Sequence, residues 1–243
     1  MLIQACLNGS RRPDEHDALP MSPQDLAEDA QECRDAGAAE VHVHPRGMGG
    51  RETLEPDACA AAVEAIRERC PGMPIGLTTG HWIVRDRLRR LALIGRWSVL
   101  PDHCSVNFGE PGTDELCSLL LKRGIAIEAG LSSTADARAF AVSAFKDRCL
   151  RVLIEIEPGG PDDPLKMAAG VIKILDAAGS SIPRLQHGLG ASAWPLLRDA
   201  VARGYDTRIG LEDTVQMLDG SKAPSNAALV AFIASRIKAA SPI

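Results

Sequence analysis

The run Val41-His42-Val43-His44 sets two imidazoles two residues apart, with a valine before each. Such alternation predicts a β-strand, in which residues i and i+2 project to one face, so His42 and His44 form a ready pair of metal ligands. A third ligand is available far downstream in Glu212, where the apolar run 208–211 ends in Gly210-Leu211-Glu212-Asp213. Two neutral imidazoles and one carboxylate leave a fourth position open on zinc, the arrangement of a catalytic rather than a structural site. On the same stretch Arg208, Gly210 and Glu212 share strand parity, which predicts a guanidinium and a carboxylate on one side with room between them. Asp213 has the opposite parity or begins the loop, where it either faces substrate rather than metal or serves as a turn residue.

Positioning these groups requires elements whose ends converge. Eight times the sequence passes from a short β-like run through a polar turn into a helical pattern. The runs 3–7, 40–44, 75–79, 104–107, 125–129, 150–156, 184–187 and 206–211 read as strands. Helices are expected at 23–36, 56–69, 84–94, 113–123, 134–145, 164–178, 192–203 and 225–239. The first is announced by Ser22 as N-cap, Pro23 at the first helical position and Gly37 as the stop. Strand-helix alternation implies parallel strands with crossover helices, and eight units in 243 residues suit one α/β domain over 1–243, a (β/α)8 TIM barrel. A doubly wound open sheet is the alternative. A nucleotide fingerprint would favour it, yet Gly47-Met48-Gly49-Gly50 follows the second strand without opening a helix directly, and there is no P-loop.

In such a barrel the chemistry sits at the C-terminal ends of the strands. Those ends carry Asn8; His42 and His44; Thr78 and Thr79; Ser105 and Asn107; Glu128; Glu155 and Glu157; Gln186 and His187; and Arg208, Glu212 and Asp213. Singly, a strand-end Thr, Ser or Asn caps the next helix or shapes a turn as readily as it binds a ligand. Together they predict one mouth lined with hydrogen-bonding and titratable groups.

Composition narrows the partners. Apolar residues make up 45% of the chain but aromatic ones only 3%, so the core is expected to consist of Ala, Leu, Ile and Val. A net charge of −5 without a polybasic cluster argues against nucleic acid and against a membrane surface. The start, Met1-Leu2-Ile3-Gln4-Ala5-Cys6, lacks a charged n-region, and no apolar run is long enough to span a bilayer, so a soluble, cytoplasmic protein is expected. Seven cysteines, odd in number and without a C-x-x-C pair, suggest neither a disulfide framework nor a cysteine zinc site, and most should be reduced core residues.

Read together, His42-Val43-His44, Thr78-Thr79-Gly80, Ser105-Val106-Asn107-Phe108 and Arg208-Ile209-Gly210-Leu211-Glu212-Asp213 resemble the β-keto acid cleavage enzymes, the family of 3-keto-5-aminohexanoate cleavage enzyme. The likeness takes in Asn8-Gly9, Leu19-Pro20, Ala36-Gly37-Ala38 and Arg46, and spans nearly the whole chain. It implies a zinc-binding (β/α)8 barrel that exchanges a β-keto acid with acetyl-CoA, giving acetoacetate and a new acyl-CoA, and that tends to form homo-oligomers. It also implies that His42, His44 and Glu212 hold the zinc, that Arg208 and Asp213 are the catalytic arginine and aspartate, and that Thr78, Ser105 and Asn107 bind substrate. Thr79 and Glu128, at the same expected mouth, are taken as substrate-binding too.

Three positions depart from the family pattern. Arg11 stands where a glutamate often meets a substrate amino group, His81 where a second glycine commonly follows Thr-Gly, and the loop 158–164 is shorter. Arg11 is accordingly expected to contact substrate and to favour an anionic or neutral tail over a cationic one. The alternative is that it points to solvent or pairs with Asp14 or Glu15 in its own loop.

The residues suit that chemistry on independent grounds. Cleaving a C–C bond beside a carbonyl needs an electron sink, which zinc supplies as a Lewis acid without a Schiff-base lysine. A carboxylate such as Asp213 can move the proton, and Arg208 can hold a substrate carboxylate through its planar fork. Two other readings suit the same residues: a metal-dependent aldolase or hydrolase that acts on a keto acid without CoA, and a metal-binding barrel without catalysis. The second would gain nothing from Arg208 and Asp213 at the mouth.

Overall fold

In the computed structural model, which describes residues 1–157 and 163–239, eight parallel strands close into a barrel. The elements alternate as β1 (Ile3–Cys6), α1 (Pro23–Ala36), β2 (Glu40–Val43), α2 (Pro56–Arg69), β3 (Ile75–Leu77), α3 (Arg87–Gly95), β4 (His103–Asn107) and α4 (Thr113–Lys122). They continue as β5 (Ala126–Leu131), α5 (Thr134–Val142), β6 (Arg151–Ile156), α6 (Pro164–Ala177), β7 (Arg184–Gly188), α7 (Ala193–Arg203), β8 (Asp206–Ile209) and α8 (Asn226–Lys238). The closing ladder pairs Ile3 with Thr207, Gln4 with Arg208 and Ala5 with Ile209, which rules out the open sheet and confirms the TIM barrel. The loop expected at 158–164 has its residues 158–162 outside the described ones. No helix among the described residues is long and apolar enough to cross a membrane.

Local chemistry explains the element ends. The Ser22 side chain accepts from Asp25 N while the Asp25 carboxylate accepts from Ser22 N, a reciprocal cap that starts α1 where the sequence announced it. The Asp86 side chain caps α3 by accepting from Arg89 N, so that helix begins three residues later than expected. The ladders of β1, β2, β3 and β8 stop one or two residues short of the apolar runs, although Leu7 N still donates to the His42 carbonyl and Thr78 N to the Val43 carbonyl. Strand β5 goes the other way: Ala129, Gly130 and Leu131 pair with Val152, Leu153 and Ile154, so the ladder continues past the expected end at 129.

Two interiors differ in kind. Between strands and helices lies the expected aliphatic shell, with Ala5, Val41, Val43 and Ile75 from the strands against Leu26, Ala30, Val63 and Ile66 from α1 and α2. Burying each Leu, Ile or Val there contributes about 1.5–3 kcal/mol relative to exposure. The barrel lumen instead holds a polar floor. Gln4 Nε2 donates to Glu40 Oε1 at 2.7 Å and Glu128 Oε1 at 3.1 Å, and Arg151 bonds both carboxylates, reaching Glu128 through Nε at 2.6 Å. His103 Nε2 lies 3.4 Å from Glu128 Oε2. Glu128 is therefore not at the mouth where the sequence reading put it. With β5 extended to Leu131, it falls in the first half of the strand and serves this buried network.

Candidate active site

The imidazoles of His42 and His44 face each other with their Nε2 atoms 3.1 Å apart, as the period-two argument requires. The Nε2 of His44 is 3.5 Å from Glu212 Oε1, and one donor atom from each of the three residues falls within 4.8 Å of the others. All three are largely buried, His42 and His44 almost completely.

Glu212 reaches the pair by a turn rather than by strand parity. β8 ends at Ile209, and Asp213 N and Thr214 N both donate to the Gly210 carbonyl at 3.0 Å. Two glycines permit that approach: a Cβ on Gly210 would collide with the Cys6 carbonyl, and one on Gly9, whose φ is +52°, would overlap the Glu212 side chain.

A metal fits this trio on the donors' own chemistry. His44 Nδ1 lies 2.6 Å from Glu52 Oε1, which holds the proton on Nδ1 and leaves the Nε2 lone pair for a cation. Glu212 Oε2 is buried without a hydrogen-bond partner among the described residues. Burial alone would lower the His44 pKa, but Glu212 and Glu52 outweigh it and raise it to about 9. Burial pushes His42 well below its ordinary value. Burial would raise Glu212, yet Arg208, His44 and His42 hold it far below the usual carboxylate range. A second trio, Glu40, His103 and Glu128, is equally close, but the Arg151 guanidinium already supplies its positive charge.

Behind the trio stands a second layer. Arg208 Nη2 donates to Glu212 Oε1 at 2.7 Å and to Asp213 Oδ1 at 3.4 Å, while its Nε faces His187 Nδ1 at 3.3 Å. His187 Nε2 lies 3.1 Å from Glu155 Oε2. The cavity in front has a volume of about 460 Å³, and its walls include His42, His44, Glu212, Arg208, Glu155 and Trp82. A cation site opening on such a cavity, with an arginine and a carboxylate beside it, can bind and polarise a small anionic carbonyl compound.

Comparison with known proteins places the chain in a family. The model of the beta-keto acid cleavage enzyme family matches residues 1–141 and 154–241. The chain belongs to this family. It is 28% identical over 252 residues to the 3-oxoadipate:acetyl-CoA acetyltransferase of Cupriavidus necator, covering 96% of this chain and 87% of that protein. Over 255 residues it is 26% identical to the 3-keto-5-aminohexanoate cleavage enzyme of Fusobacterium nucleatum, covering 95% and 88% of the two. Among solved structures, ObcA in a ternary complex with a C4-CoA adduct and oxalate superposes with a TM-score of 0.74 at 19% identity. The match covers 93% of this chain but 65% of ObcA, so the chain spans just under two thirds of that larger protein, and the likeness concerns the fold alone.

Within this beta-keto acid cleavage enzyme fold, Thr78, Ser105, Asn107 and Arg11 line the cavity together with His42, His44, Glu212 and Arg208. Arg11 borders the cavity, while its Nη1 pairs with Glu15 at 3.2 Å, a partner that the alternative reading gave it. Thr79 does not line the cavity. β3 ends at Leu77, and the buried Thr79 hydroxyl donates to the Ser105 carbonyl at 2.6 Å, tying β3 to β4. Gln186 turns outward to α7, bonding Leu196 O and Asp199. Asp213 is fully buried, and the turn at Gly210 carries it behind Arg208 instead of toward the cavity. Asn8 acts on the backbone, accepting from His44 N and donating to its carbonyl, and so fixes the end of β2.

Sequence reasoning missed Glu52 and Trp82. Glu52 bonds both His44 and the Trp82 indole N–H, whose ring centroid lies 6.4 Å from that of His44. Both residues sit in loops, where no periodicity marks the direction of a side chain.

Proposed function

We propose that this chain cleaves a β-keto acid with acetyl-CoA, giving acetoacetate and a new acyl-CoA, and that zinc held by His42, His44 and Glu212 is its metal. The observation that carries this reading is the buried trio with Arg208 beside it at the wall of a small polar cavity. The family supports it, and so do relatives named for acetyl-CoA-dependent transfer, the 3-oxoadipate enzyme and the 3,5-dioxohexanoate:acetyl-CoA acetone transferase of Paraburkholderia graminis.

A bound zinc ion supplies Lewis acidity toward the ketone oxygen. The protein's own groups do the rest. Arg208 presents its guanidinium to the substrate carboxylate while remaining anchored on Glu212 and Asp213. Asp213 is the carboxylate behind that arginine, and the catalytic role inferred for it is exerted through Arg208 and His187. Thr78, Ser105 and Asn107 offer hydrogen bonds along the cavity wall. Glu52 orients His44, and Arg11 meets the substrate tail, favouring an anionic or neutral one.

The test incubates a panel of β-keto acids with the purified protein, with and without acetyl-CoA, and follows acetoacetate. Acetoacetate formed only in the presence of acetyl-CoA is the expected result. Keto acid loss that is indifferent to acetyl-CoA would move the chain to the aldolase or hydrolase reading. A homo-oligomer in solution is the accompanying expectation, checked by sedimentation.

A further inference from the structure

Glu155, near the end of β6, reaches the cavity beside the trio, and its carboxylate is held from behind. It is the register partner of His187 on β7, so the two side chains stand level on adjacent strands. Glu155 Oε2 lies 3.1 Å from His187 Nε2 and 3.8 Å from Arg208 Nη2. The other ring nitrogen, Nδ1, is 3.2 Å from Asp213 Oδ1. A line of groups thus runs from Asp213, fully buried, through His187, 1% exposed, to Glu155, whose side chain is 23% exposed and is the end that meets the cavity. Burial would raise the Glu155 pKa, but His187 and Arg208 outweigh it and keep the carboxylate ionised.

Exchange of the acyl group on a β-keto acid needs a base. The carbon between ketone and carboxylate must lose a proton to become nucleophilic and must regain one when acetoacetate leaves. Asp213 has no face on the cavity, whereas Glu155 has one within reach of the arginine that binds the carboxylate. We propose that Glu155 takes and returns this proton, and that His187, backed by Asp213, is the positioning residue that aims it. The inference rests on the β-keto acid reading.

The step balances without any oxidant. The C–H bond breaks, its proton goes to a Glu155 carboxylate oxygen, and its electron pair stays on the substrate as an enolate. That carbon bonds to the thioester carbonyl carbon of acetyl-CoA as the C–S bond there breaks and CoA leaves as the thiolate. The thiolate then bonds to the original acyl carbon, and the bond between that carbon and the substrate's methylene-derived carbon breaks as the new acyl-CoA forms. The carbon again carries the electron pair, Glu155 returns the proton, and acetoacetate departs with the enzyme restored.

Glu155→Gln tests this, since an amide oxygen still accepts from His187 Nε2 but takes no proton. In the zinc-loaded variant kcat should fall by roughly 10²- to 10⁴-fold with metal content and Tm unchanged. Enzyme-dependent exchange of the substrate's methylene protons in D2O without acetyl-CoA, followed by NMR above the buffer rate, should vanish with it. In His187→Gln the acid limb of the kcat/KM profile should move to higher pH, because the imidazole no longer favours the Glu155 anion; a purely structural histidine would leave that limb in place. Should the glutamine variant fail to fold, Glu155→Asp decides: it keeps the charge but withdraws the carboxylate by one methylene, so kcat must fall while zinc is retained. A folded Glu155→Gln with kcat and exchange within about threefold of wild type overturns the role of Glu155 alone. A wild-type protein that turns over no β-keto acid overturns the functional reading along with it.

Discussion

Nδ1 of His44 lies 2.6 Å from Oε1 of Glu52, a carboxylate eight residues away on the loop after β2. A metal-ligating imidazole whose second nitrogen is bonded to a carboxylate is fixed in tautomer and made more basic. Glu52→Gln should therefore weaken zinc binding by about 10- to 100-fold without unfolding the protein. Competition against a chelator of known affinity measures it, and an unchanged zinc affinity would remove Glu52 from the site.

His42→Ala tests the trio itself. Removing one of three protein donors leaves too few for a tight site, so metal and activity should disappear together. Elemental analysis of the purified variant is decisive: full zinc occupancy there would mean that the metal sits elsewhere.

Arg208 and Asp213 form the next layer, linked at 3.4 Å. Arg208→Lys keeps the charge but loses the planar fork that serves Glu212, Asp213 and His187 at once, so kcat/KM should drop at least about tenfold, some 1.4 kcal/mol of barrier. Asp213→Asn should retain zinc and lower kcat. Steady-state kinetics with metal analysis would return both residues to a structural role if turnover stayed at the wild-type level.

Arg11 borders the cavity while sharing its charge with Glu15. Wild type should prefer a β-keto acid with a second carboxylate, or a neutral tail, over one bearing an amine, and Arg11→Glu should shift that preference toward the amine. Comparing kcat/KM across the three substrate types settles it. A wild-type preference for the amine-bearing acid, or an unmoved order in the variant, excludes Arg11 from specificity.

Stability should carry a pH signature away from the site. Asp29 on α1 accepts from Asn226 Nδ2, and burial raises its pKa to about 7. The folded state thus holds this proton at pH values where the unfolded chain, with its ordinary pKa of 3.8, has released it. Stability is therefore lost as pH rises between about 4 and 7, by a few kcal/mol at most. Asp29→Asn removes the ionisation while keeping an acceptor for Asn226, so its Tm should exceed wild type at pH 8 and approach it near pH 4. Parallel Tm curves for the two proteins would refute this.

What the sequence by itself determined was local or periodic. The shared face of His42 and His44 follows from the two-residue repeat of a strand, and the barrel from eight strand-helix alternations whose caps, such as Ser22 with Asp25, are written within a few residues. Glu212 was legible as a ligand type, but its route to the histidines depends on a turn at Gly210 and on the missing side chain of Gly9, 203 residues away in the chain by the difference of 212 and 9. Tertiary structure alone decided which acids face the cavity. Glu128 went to the lumen floor because its neighbours extended β5, Asp213 went behind Arg208 because β8 stopped at Ile209, and Glu52 came to His44 from a loop. A carboxylate's role is set by the charges and burial around it, and those are supplied by strands and loops distant in the sequence, where neither propensity nor periodicity reaches.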